Sequence, residues 1–552
     1  MSQINGAHGQ SDATESKDAQ SGASASTDES LNARVKQSRG VPRWVVPLIC
    51  VIAVVAIVLG VTVFRAAGKG DGTQGAGASA QSDTVTVGIK LAPVNLDIRH
   101  QSGSALEQLL IGNVYEGLVS RDSDNKVQPG LASSWDVSDD GLTYTFHLNE
   151  HMNFSNGDVL DADDVAWSIN ELKAQKYYNY DQVKNLDAAT VVDANTVQLK
   201  LSAPDSNMLW YLSGRPGLVF DKDAQYDAKT TAVGSGPYEV QSFDPSSQLV
   251  LKANDRYWGT AHKAKTRNVT VRFLPDDNAA VNALKSGDVQ VLSPIAATLA
   301  KSFQSDPEHY TVNAADGSDK FVLAFNMTNP KLADKRVRQA IRYAIDHDQI
   351  IASRGGVDSA LGGPIPNVDP GYDDLTGLYP HDADKAKALM AEAGFSADKP
   401  LELTLTYANV YGTELGDQLR SQLQQIGIDL KINYVEFSTW LQDVHTNGDY
   451  ELSLVDHAES HDFYKWATPT YYYHYDNKDV QDLYAKALAA SDDAEADDYL
   501  KQAARLVSED APADWLFEYR VTVAASKGVE GFPQRLSQSV LPLYNMTYTP
   551  VR

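Results

Sequence analysis

The chain has 552 residues, a formal net charge of -26, 43% hydrophobic and 22% charged residues, and a single cysteine. Those shares are globular, the negative charge excludes nucleic acid, which as a polyanion would be repelled, and one cysteine excludes a disulfide framework. A chain of this length exceeds what one hydrophobic core organises, so at least two lobes are expected.

Residues 1–43 are rich in Ser, Gly, Ala, Gln and Asp, bury too little surface to offset ordering entropy, and read as a disordered cytoplasmic tail. Trp44 to Phe64 carries no charge and, as a helix, spans roughly 30 Å of hydrocarbon. Arg34, Lys36, Arg39 and Arg43 crowd its upstream flank, so the positive-inside rule keeps the N-terminus in the cytoplasm and puts the chain from Thr84 onward outside the cell membrane. A cleaved signal peptide has a short head and a shorter apolar core, which makes an uncleaved single-pass transmembrane anchor the expectation. Cys50 lies near the start of the run, behind Leu48 and Ile49, which is the wrong place for lipidation. Residues 65–83, rich in Gly and Ser, read as a flexible linker.

A first lobe is expected over 84–320. It opens with a strand from Thr84 to Lys90, a loop to Gly103 and an apolar helical stretch through Leu106, Leu109, Leu110 and Val114. Leu142 to Leu148 alternates, with Leu142, Tyr144, Phe146 and Leu148 on one face. Asp161 or Asp163 caps a helix that buries Val165, Ile169 and Leu172, and Thr190 to Leu201 reads as a hairpin around Asp193-Ala-Asn195. A strand from Asn268 to Leu274, a helix from Asp276 to Lys285 stopped by Gly287, and a strand from Val289 to Leu292 follow.

The second lobe is expected over 321–510. Helices run from Asp334 to Ile345 and from Asp382 to Ala393, the latter stopped by Gly394. Strand Leu401 to Tyr407, helix Thr413 to Ile426 and strand Ile428 to Tyr434 form a βαβ unit, repeated by helix Ser438 to Val444 and strand Tyr450 to Val455. An acidic helix from Ala489 to Glu509 and a β-like run from Phe517 to Ala525 follow, so 511–552 is expected to return to lobe one. Two α/β lobes leave a cleft between them, the usual place for a ligand.

The segments Asn113 to Val119, Pro129 to Trp135, Asp140 to Leu148, Phe154 to Asp158 with Ala162 to Val165, Gly234 to Tyr238, Asp334 to Ile341 with Ala344 to Asp346, and Lys385 to Gly394 stand in an order and spacing that resembles the family 5 solute-binding proteins of ABC importers. These are the dipeptide and oligopeptide receptors and their relatives. Most of these motifs make turns and caps, and so identify the family without identifying its cargo. The resemblance implies a two-lobed fold of the periplasmic-binding-protein type with an extra subdomain in lobe one at 114–233. It also implies hinge closure on a solute and delivery by a monomeric receptor to permease subunits with cytoplasmic ATPases.

A peptide receptor must satisfy a buried ammonium, a carboxylate and the amides between them. In peptide-binding relatives an acid after a lobe-two strand pairs with the ligand amine, in a segment with Asp-Pro and aromatics. The corresponding region here is Leu454 to Trp466, which keeps the acids without Asp-Pro and leaves Glu459, Asp462 and Asp456 as candidates, in that order. His457 joins them as a contact, with Trp466, Tyr472 and Tyr473 from the aromatic cluster. From lobe one, the loop Asp97 to Gly103 supplies Gln101, Ser102 and Gly103, and Arg215 reaches the same cleft.

Aromatic faces also stack on sugar rings, so an oligosaccharide is the alternative cargo, and the four-residue spacing of His457 and His461 leaves a metal such as nickel as a lesser one. No cofactor is expected. A hydrolase lacks its parts: there is no nucleophile elbow, no cysteine outside the apolar run and no zincin motif.

Overall fold

The computed structural model describes residues 80–490, 492–535 and 540–551. The expected tail, the anchor at 44–64 and all but the end of the linker lie outside the described residues. Among the described residues no helix is long and apolar enough to cross a membrane.

Two separate sheets set the architecture. The first has seven strands, in the order Tyr310–Ala315, Val521–Ser526, Val291–Leu292, Thr84–Ile89, Asn268–Phe273, Gln248–Ala253 and Tyr238–Asp244. The second has five, in the order Ile428–Val435, Leu401–Ala408, Leu452–His457, Lys320–Phe325 and Ala513–Glu518. Each sheet carries its own apolar core, so the two-lobe expectation holds at the level of packing. An antiparallel four-stranded sheet in the order Ala132–Val137, Thr143–Leu148, Thr196–Leu201 and Leu186–Asp193 forms a third core with helix Ala162–Gln175.

Local chemistry explains the elements. Asp161, not Asp163, caps the Ala162–Gln175 helix, in a reciprocal box with Asp164. In strand Thr143–Leu148 the residues Tyr144, Phe146 and Leu148 point into the third core, as the alternation requires. Asp334 caps helix Lys335–Ala344, which buries Val337 and Ile341 at about 1.5 to 3 kcal/mol per side chain. The Leu401–Ala408 and Ile428–Val435 strands pair in parallel from Leu401 with Ile428 to Ala408 with Val435, confirming the βαβ unit.

Three expectations are corrected. The acidic helix begins at Asp493, because Asp492 accepts from the Glu495 N–H and Ala490 is extended; a separate helix, Lys478–Ala489, precedes it. The run from Phe517 to Ala525 is two strands in different sheets, so the chain stays in lobe two to Glu518 and returns afterwards. The helix expected from Ser438 to Val444 begins at Phe437 as α-helix and widens into a π-helix at Leu441–Thr446.

Candidate functional site

The chain crosses between the sheets twice, from Ala315 to Lys320 and from Glu518 to Val521. In lobe two Lys320 pairs with both His457 and Glu518, so the crossing edge of that sheet is also where strands Leu452–His457 and Ala513–Glu518 end. Strands Leu401–Ala408 and Ile428–Val435 run parallel to Leu452–His457 and end on the same edge. In lobe one strands Thr84–Ile89, Asn268–Phe273 and Val291–Leu292 likewise end on the crossing edge. Two sets of strand ends thus face each other across a hinge, the place where open α/β sheets bind ligands.

The crossings carry a surplus of acid. Asp319, Asp456 and Glu518 gather around the strand ends, and one oxygen of Asp456 and one of Glu518 lack a hydrogen-bond partner among the described residues. Burial pushes the Asp456 carboxyl up to about 7, against the pull of Lys320 and Arg354. Burial, and then the Asp456 charge, push Asp319 up as well. Burial lifts Glu518 to about 7 although its other oxygen accepts from the Asn367 N–H at 3.2 Å. Burial outweighs the cations that act on these carboxyls, Lys320 at all three and Arg354 at Asp456, and favours their protonated form.

The other two candidate acids have cations already. Asp462 is buried between Lys320 at 3.2 Å and Lys465 at 3.1 Å. Lys465 also pairs with Glu459 at 2.8 Å and holds that carboxyl below its usual range, although the Glu459 side chain is 60% exposed. The aromatic candidates go inward. Trp466, Tyr472 and Tyr473 are buried in the core beneath the sheet, where the Trp466 and Tyr473 rings stack at 4.2 Å. His457 faces the same core with Nε2 at 3.0 Å from the Tyr472 hydroxyl and 2.6 Å from that of Tyr473, and burial keeps it well below the ordinary histidine range. Among the described residues no group of three or more His, Cys, Asp or Glu is placed to hold a metal ion.

In lobe one the Asp97 to Gly103 loop is clamped by Arg215, which is buried. Its guanidinium donates to the carbonyls of Ile98 at 2.8 Å, Gln101 and Gly103 at 3.4 Å, pairs with Glu107 at 2.5 Å and lies 4.6 Å from the Tyr178 ring centre. Arg215 therefore shapes the loop. Ser102 and Gly103 stay exposed at its tip, and Gly103 sits at φ 123°, a conformation that favours glycine.

Arg121, at the end of strand Val119–Arg121, is a residue the sequence reading passed over. Its guanidinium lies 4.9 Å from the Trp210 ring centre and donates to Asn125 at 3.1 Å, while its Nε has no partner among the described residues. The same corner joins the lobes. Asn125 donates to Asp369 at 2.9 Å and Ser460 at 2.6 Å, and Trp210 stacks on His461 at 4.3 Å. His461 is held at φ 54° by its N–H donating to Asp369 at 2.8 Å. Ser206, further along the subdomain, donates from N–H and hydroxyl to the carbonyls of Leu488 and Ala487, the C-terminal end of a lobe-two helix.

Lys320 and Glu518 were also missed. Lys320 opens the buried strand KFVLAF and Glu518 closes the buried strand ADWLFE, which also carries Asp514, and charges inside such runs were the available signal.

The model for "Bacterial extracellular solute-binding proteins, family 5 Middle" matches residues 126–490. The chain belongs to this family. It is accordingly a solute-binding receptor of the ABC-importer type, and the family implies an extracytoplasmic binding domain and delivery to a permease. The dipeptide-binding protein of Escherichia coli strain K12 is 27% identical over 452 residues, covering 74% of this chain and 84% of its own. DppA from Helicobacter pylori, solved in complex with the peptide STSA, matches 85% of this chain and 98% of its own with TM-score 0.72 and 23% identity. NikA from Staphylococcus aureus, solved in complex with Ni(L-His)2, matches 84% and 99% with TM-score 0.69 and 19% identity. The two solved structures share the two-lobed fold with this family 5 receptor.

Proposed function

We propose that this receptor captures short peptides by their free amino terminus and delivers them to its permease as a monomer held at the membrane by the 44–64 segment. The observation that carries this reading is the oxygen of Asp456 that has no hydrogen-bond partner among the described residues, beside Asp319 and Glu518 at the hinge edge, where burial outweighs the charges of Lys320 and Arg354. A peptide ammonium supplies a further cation at that oxygen. Glu459, next to Lys465, and the Gln101 to Gly103 loop supply further polar contacts along the peptide. The likeness to a dipeptide-binding protein supports the same cargo.

The sugar alternative is weaker, because Trp466, Tyr472 and Tyr473 spend their faces on the core. Mass spectrometry of small molecules that co-purify with the full chain tests the proposal. Short peptides with free amino termini are expected; a glycan or a metal complex in their place would overturn it.

A further inference from the structure

One helix of lobe two is apolar on two sides. In the segment from Phe437 to Thr446, Trp440 and Val444 face the lobe-two core, while Phe437 and Leu441, four residues apart on one helical face, are each 45% exposed. Val410, 67% exposed, lies in the adjoining loop, which is tied to this one by the Asn409 amide donating to Glu436 at 2.8 Å. A helix with apolar residues on both sides ordinarily has something to cover each of them, and the π-helix that starts at Leu441 is a form enriched at functional sites.

Position names the cover. Val410 follows strand Leu401–Ala408 and Phe437 follows strand Ile428–Val435, both on the edge where strand Leu452–His457 ends, one residue beyond Asp456. The strand order places Val410 one strand and Phe437 two strands from Asp456, about 5 and 10 Å at the usual spacing. An extended peptide advances about 3.3 Å per residue. A peptide with its amino terminus at Asp456 that runs toward strand Ile428–Val435 brings its second to fourth residues over this patch.

We infer that Val410, Phe437 and Leu441 form a specificity platform that selects peptides with large apolar side chains after the first residue. The inference rests on the peptide reading and adds a side-chain class to it. Leu91 and Val94, 61% and 78% exposed on the lobe-one edge that faces the cleft, extend the apolar lining from the opposite side.

Calorimetry on the full chain with Ala-Leu-Leu and Ala-Gln-Gln tests it, repeated on the double variant Phe437→Ser with Leu441→Ser. Both positions are exposed, so an unchanged melting temperature is the folding control. Wild type is expected to bind Ala-Leu-Leu at least about tenfold more tightly, and the variant is expected to lose that preference while keeping its Ala-Gln-Gln affinity. Equal affinities in wild type overturn the platform and leave the peptide reading standing. A preference that survives in the variant overturns it too. If neither peptide binds, the peptide reading fails and the platform with it.

Discussion

The strands on either side of Lys320–Phe325 each carry an aspartate inside lobe two, and the two have opposite surroundings. Asp514, fully buried, receives Arg342 at 3.3 Å and His347 at 2.8 Å, and Arg342 spends its other donors on the carbonyls of Ser508 and Gly362. Burial alone would raise the Asp514 carboxyl, but His347 and Arg342 outweigh it and hold it below the usual range. Asp456, at the hinge edge, has an oxygen with no hydrogen-bond partner among the described residues and a carboxyl pushed up to about 7. Burial does not by itself mark a working charge. A satisfied one holds the fold, and an unsatisfied one is completed from outside.

Breaking the satisfied set is expected to have the largest effect. Asp514→Ala leaves Arg342 buried without its counter-charge and is expected to cost about 3 to 5 kcal/mol in a denaturant melt. Asp456→Asn should do the reverse, leaving the unliganded protein as stable as wild type or more so while weakening peptide binding at least about thirtyfold by calorimetry. A loss of stability in Asp456→Asn comparable to that in Asp514→Ala would erase the distinction.

The two sets also carry opposite pH signatures. A depressed carboxyl such as Asp514 contributes stability above its unfolded value that is lost as pH falls through the folded one. A raised carboxyl such as Asp456 binds its proton more tightly in the folded state, so its contribution is present in acid and lost as pH rises toward about 7. The melting temperature of Asp456→Asn relative to wild type should therefore grow between pH 5 and 8. Peptide and proton compete for the same oxygen, so affinity should fall by up to about tenfold per unit as pH drops below about 7.

The smallest expected effect comes from the contact between lobes. Asn125→Ala removes donors to Asp369 and Ser460, and is expected to widen the free protein in small-angle scattering and weaken peptide binding about tenfold. Unchanged scattering would show that Trp210 on His461 and Ser206 on the Ala487 carbonyl suffice to hold the lobes.

Much of the fold was legible because its signals are local. The Asp334 cap, the Tyr144 and Phe146 alternation and the parallel Leu401 and Ile428 strands each rest on a few neighbouring residues. The site was legible only in part. The acid-rich segment after strand Leu452–His457 was readable, but whether Glu459 or Asp456 lacks a cation depends on Lys465 and Lys320, and Lys320 comes from a strand far away in sequence. The tyrosines mislead for a different reason. An aromatic cluster in sequence does not say which way each ring points, and Tyr471 to Tyr473 fold as a turn that sends Tyr472 and Tyr473 to the core. Arg121 ends a three-residue strand too short to carry a pattern.

The central claim is that Asp456 receives the amino terminus of the cargo. Calorimetry on a double cycle tests it, pairing trialanine and N-acetyl-trialanine with wild type and Asp456→Asn. Acetylation should weaken binding to wild type by at least about thirtyfold and change binding to the variant little. Equal loss on acetylation in both proteins would place the ammonium elsewhere and contradict the account.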